Sequence, residues 1–159
     1  MAGWSLDLEK YAEKKGESIK MCRRKVCAKI FESIVRRTPV DTGRARGNWQ
    51  ITVGQDDTAP IDRLDPAKGK PAYAGEEEAK LAVADGDETI FIHNNLPYIC
   101  KLEFGGYPED VKKGTYVKGK GYEKRSRGGF SMQAPHGMVG VTMAGIESRI
   151  REAVKESGF

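Results

Sequence analysis

The residues of this chain most able to do chemistry begin with Asp41-Thr42-Gly43. In aspartic proteases this tripeptide carries the carboxylates that share one proton. Such a dyad needs two copies of the tripeptide, or one from each subunit of a symmetric dimer. No second Asp-Thr-Gly or Asp-Ser-Gly occurs here. Arg44 follows directly, where a small residue supports the loop in such enzymes, and its cation would oppose a shared proton. The same residues read better as a joint. Thr38-Pro39 ends a helix, because the residue before proline avoids the α region. Asp41 offers a short acceptor for the amides of Gly43 and Arg44. Gly43 permits a positive φ or a close backbone approach. Trp49 then anchors the chain on the core, with Arg44 and Arg46 expected as solvated or interface cations.

Other chemistries find less. His93 and His136 are the only histidines, and no cysteine or carboxylate spacing joins them into a metal site. There is no Gly-x-Ser-x-Gly nucleophile elbow. The glycines from Gly114 to Gly121 lack the Gly-Lys-Ser/Thr ending of a phosphate loop. The expectation is therefore no catalytic residue, no metal and no cofactor. One segment invites a binding role. Lys112, Lys113, Lys118, Lys120, Lys124, Arg125 and Arg127 face a single acid, Glu123, with Tyr107, Tyr116 and Tyr122 interleaved. It reads as a solvated loop, or as one that orders against an acidic partner or DNA phosphates, without sequence preference and with strong salt dependence.

The elements that position these residues follow from periodicity. Residues 5–37 read as one long helix, with Ser5 as N-cap and Gly16 as a point of interruption. Ile19, Cys22, Val26, Ile30 and Ile34 recur at three- and four-residue steps, widened by Cys27, Phe31 and Val35. Lys20, Arg24, Lys25, Lys29, Glu32 and Arg36 form the opposite, polar face. A short strand is expected at 50–53, a helix at 75–84 and the best strand at 88–93. Residues 99–104 suit a helix or a strand. Val139, Met143, Ile146, Ile150 and Val154 mark a final helix. Residues 54–75 and 105–129 are expected to be long flexible loops. The 159 residues suit one domain, 1–159. Hydrophobic content of 38% with 19 glycines implies a thin core, or one completed by neighbouring subunits. The net charge of +4 is mild. Three unpaired-looking cysteines suit a reducing compartment. No membrane span and no signal peptide are expected.

Taken in order, several segments resemble the tail-completion (head–tail joining) proteins of lambda-like long-tailed phages. They are Arg37-Thr38-Pro39-Val40-Asp41-Thr42-Gly43-Arg44 with Asn48-Trp49, then Ile90-Phe91-Ile92-His93-Asn94-Asn95-Leu96-Pro97-Tyr98, then Leu102-Glu103-Phe104-Gly105, and last Ala134-Pro135-His136-Gly137-Met138. The resemblance spans most of the chain and is weakest in the two long loops. It implies an α+β fold, with a long N-terminal helix and a C-terminal helix on a small, mostly antiparallel sheet. It implies a structural turn at Thr38, Pro39, Asp41, Gly43 and Trp49, and a second one shaped by Tyr98, Glu103 and Gly105. It further implies a non-enzymatic virion protein of the neck or tail, made in the host cytoplasm and assembled as a ring. Its partners would be a tail terminator or connector; contact of the basic segment with packaged DNA, without sequence preference, is read from that segment's charge and not from the resemblance. The alternatives are a tail terminator or head-closure protein and, in another class, a small basic nucleic-acid-binding protein.

Overall fold

A computed structural model describes residues 3–84, 86–107, 115–123 and 126–158. The fold is α+β. Helix α1 (Gly3–Arg37) runs unbroken through Gly16 and begins ahead of Ser5, so the expected cap and interruption are both absent. The joint follows, with a one-turn helix α2 (Arg44–Gly47) leading into β1 (Gln50–Val53). Helix α3 (Ala74–Lys80) continues as a 3-10 turn at Leu81–Val83. Strand β2 (Ile90–His93) pairs antiparallel with β1, placing Ile51 opposite Ile92 and Gln50 opposite His93. Helix α4 (Ile99–Phe104) resolves the helix-or-strand ambiguity.

The glycine-rich 105–129 region holds strands that its sequence period does not announce. Strands β3 (Thr115–Val117) and β4 (Gly121–Glu123) form one hairpin. Strands β5 (Ser126–Arg127) and β6 (Phe130–Ser131) form another. The second turn is Gly128-Gly129 with φ of 57° and 80°. Two successive positive φ values are what a two-residue type I′ turn demands. The strands therefore form three separate antiparallel pairs.

The C-terminal apolar run forms two helices rather than one, α5 (Val139–Ala144) and α6 (Ile146–Glu156), divided at Gly145. The break rotates the expected stripe. Met143 and Ile150 are left over 40% exposed, while Ala153 becomes fully buried. Arg149 crosses the break, donating to Thr142 O at 3.1 Å and to Ser33 Oγ at 2.7 Å. Helices α1 and α6 are bonded through lysines of the polar face of α1. Lys29 pairs with Glu156 at 2.9 Å and Glu152 at 3.5 Å, and Lys25 donates to Glu156 O.

The core collects Phe31, Ile34 and Val35 of α1, Trp49, Ile51, Tyr73, Leu81, Leu96, Leu102 and Met138. Among the described side chains, α1 contributes to it from its C-terminal half. Ile19, expected on the buried stripe, is 59% exposed. Among the described residues, no helix is long and apolar enough to cross a membrane.

Candidate functional site

The joint after α1 is built as a closed set of bonds. Thr38 Oγ1 donates to Ile34 O at 2.9 Å and accepts from Trp49 Nε1 at 2.8 Å. One hydroxyl thus both terminates the helix and fixes the indole. Pro39 is half-buried and Asp41 is exposed. Gly43 takes φ of 84° and occupies the N-cap of α2. The Arg44 amide donates to Thr42 Oγ1 at 3.3 Å. The Thr42 hydroxyl thus meets the first amide of α2, and the positive φ of Gly43 turns the chain.

Arg46 overturns its reading as a solvated or interface cation. It is 1% exposed and pairs with Asp65, itself 3% exposed, at 3.1 Å. Its guanidinium also donates to the carbonyls of Ala67 and Gly69, and its own carbonyl accepts from Tyr73 OH. Burial pushes the Tyr73 phenol well above its ordinary value. Arg63 repeats the pattern beside it. It donates to Gly47 O at 2.7 Å, Trp49 O at 2.8 Å and Glu77 Oε1 at 3.0 Å, and it stacks 3.6 Å over the Tyr73 ring. The 54–75 segment is therefore not a free loop. In this strap Asp65 is held to α2 by a buried ion pair, Arg63 is held to Gly47, Trp49 and Glu77, and Asn48 Oδ1 accepts from the Ile61 amide at 2.9 Å.

Glu77 ties this strap to the sheet. It accepts from the Ile51 amide at 2.7 Å, Lys80 Nζ at 2.8 Å and Arg63. Burial pushes its pKa up, but the bonds from Lys80, the Ile51 amide and Arg63 together bring it below its ordinary value. A carboxylate with a depressed folded pKa adds stability above its unfolded pKa and loses that stability as pH falls through the folded one. Acid titration of Glu77→Gln should accordingly show a lower plateau near neutrality and a shallower fall below about pH 4.3, the ordinary glutamate range. Urea midpoints measured across that range would show it.

A second joint joins distant segments. Glu103 at the end of α4 accepts three amides at the start of α5: Met138 at 2.7 Å, Val139 at 2.8 Å and Gly140 at 2.8 Å. A carboxylate supplied from elsewhere thus caps the free N–H groups and complements the positive end of the helix. Tyr98 is the N-cap residue of α4 and Gly105, φ 80°, its C-cap. Replacing Glu103 by alanine should lower stability by about 2–4 kcal/mol, because three charge-assisted bonds are lost together. Glutamine should recover part of this, and chemical denaturation measures both.

Of the basic segment, Lys118 and Lys120 are exposed on either side of Gly119 in the β3–β4 turn, and Arg127 is exposed on β5. Lys112, Lys113, Lys124 and Arg125 lie outside the described residues. His93 lies 3.4 Å from Thr52 Oγ1 and 3.2 Å from Asn95 Nδ2, so it serves the β1–β2 pair and the turn beyond it. Among the described residues, no three His, Cys, Asp or Glu side chains gather as a metal site.

Sequence reasoning missed Arg46–Asp65, Arg63–Glu77 and the reach of Glu103. One signal was present: Gly43 and Gly47 stand four residues apart, on one side of a helical turn. A Cβ on either would strike the strap, 2.4 Å from Asp65 C and 2.1 Å from Arg63 O respectively. No family model, curated protein or solved structure matches the chain.

Proposed function

We propose that the chain is a structural virion subunit that completes a phage tail and joins it to the head–neck complex as part of a ring. The observation that supports this best is that the family-like segments are bonded within themselves, to one another and to adjoining residues. Trp49 is bonded to Thr38, Asn94 donates to Ala45 O at 2.7 Å, and Glu103 caps Met138 to Gly140. Segments that resemble a family only in their order are thus joined as one framework. In this reading Asp41-Thr42-Gly43 is a bend between helices, and Lys118 and Lys120 supply charge toward packaged DNA without reading its sequence.

Deletion of the gene tests the reading. The expected result is DNA-filled heads and tails of normal length that fail to join. Tails of uncontrolled length would assign the chain to tail termination instead. Normal infectious particles would overturn a structural role.

A further inference from the structure

We infer that Lys118 and Lys120 of the β3–β4 turn, with Arg127 of β5, bind the phosphate backbone of double-stranded DNA of any sequence, and that this site carries the chain's affinity for DNA. The inference rests on the virion-subunit reading for the DNA the chain would meet. It adds where on the chain that affinity resides and how it varies with salt.

The chain leaves and rejoins the body of the fold at one point on either side of these residues. The Tyr107 amide donates to Gly129 O at 3.1 Å. A Cβ on Gly105 would lie 3.1 Å from the Phe130 ring, so the two ends approach closely. Charge divides at the same point. Residues 108–128 hold seven of the chain's 27 cations and three of its 23 acids. The 20 cations and 20 acids elsewhere cancel, so this stretch carries the whole net charge of +4. Solubility is served by mixed charges spread over a surface, whereas a block of one sign repels itself until an anion meets it.

The hairpin shows how the cations are presented. Strands β3 and β4 pair from Thr115 opposite Glu123 to Val117 opposite Gly121, which leaves Lys118, Gly119 and Lys120 as the turn. All three are exposed. Gly119 and Gly121 take φ of 85° and 84°. Glycine adopts that conformation without strain, so the turn is set by its own residues. The Cα atoms of Lys118 and Lys120 are at most about 7 Å apart, and both ammonium groups leave one tip. Lysine is a point charge on a flexible stem, suited to phosphates and not to the geometry of base edges.

Composition favours phosphate over a protein partner. A protein interface centres on apolar side chains and excludes charge from its middle. From 108 to 128 the only Val, Leu, Ile or Met residues are Val111 and Val117. Cations with little apolar surface suit a non-specific DNA contact.

Fluorescence anisotropy of a labelled DNA duplex, titrated with the full chain at several salt concentrations, tests this. The slope of log K against log salt should be about −3 or steeper, from three cations at about 0.9 each. Lys118→Gln with Lys120→Gln should reduce its magnitude by about 2. Lys101→Gln with Lys155→Gln removes the same charge from exposed positions elsewhere. That pair should change the slope by less than about 0.5. Circular dichroism checks that both pairs of variants fold. An unchanged slope in the hairpin variant, an equal fall in the control pair, or a preference above about tenfold between unrelated duplexes would each overturn the inference. Polyglutamate bound as tightly as the duplex would overturn it in favour of an acidic protein. If DNA binding fails while the chain is found at the neck of particles, the virion-subunit reading survives. If binding behaves as expected while the chain is absent from particles, that reading falls and the DNA site stands.

Discussion

Arg46→Ala should destabilise the fold by about 3–5 kcal/mol, measured by urea denaturation, without unfolding α1 in the folded state. The reason is the asymmetry of buried ion pairs. Removing one partner leaves the other charged and dry, and that costs more than the intact pair contributes. Here the partner is Asp65, 3% exposed. Arg46 also donates to the carbonyls of Ala67 and Gly69, and those bonds are lost with it. Asp65→Ala should cost nearly as much. The double variant should cost clearly less than the two losses added, because each single change already breaks the same pair. Full additivity would show that Arg46 and Asp65 are not coupled, and a loss below about 1 kcal/mol for Arg46→Ala would show that the strap does not bury the pair in solution.

Gly47→Ala should be comparably severe, about 3–5 kcal/mol. The new methyl would sit 2.1 Å from Arg63 O and 2.7 Å from Arg63 C. Those are backbone atoms, and Arg63 is itself held by bonds to Gly47 O, Trp49 O and Glu77. Neither side can yield without undoing the strap. Gly54→Ala is the control. Its φ of 81° is positive, unlike that of Gly47, and nothing lies within 4 Å of the added Cβ. It should cost only the left-handed backbone penalty, about 1–2 kcal/mol. Equal effects at Gly47 and Gly54 would remove steric contact with the strap as the cause. Thermal or urea midpoints of the two variants decide it.

These two positions mark where the sequence stops being readable. The long helix, β1, β2 and α3 were legible because apolar periodicity and turn residues are local signals. The joint was legible too: Thr38-Pro39 stops α1, Gly43 bends the chain and Trp49 enters the core. Arg46 could not be read, because its partner lies 19 residues on, in a stretch with no period, and an arginine beside a turn is usually solvated. Glu103 could not be read for the same reason, since its three amides lie 35 to 37 residues away. Gly145 sits within an apolar stripe that looks continuous, and only the packing of Arg149 across the gap shows that the helix ends there. Ile19 failed in the other direction. Its spacing fits the buried stripe, yet the body of the fold does not extend far enough along α1 to cover it.

The structural role is most directly tested in the assembled particle. Electron microscopy of purified particles from the genome that encodes this chain, with a label specific for the chain, should place it as a ring at the junction of head and tail. A label absent from both neck and tail would contradict that role.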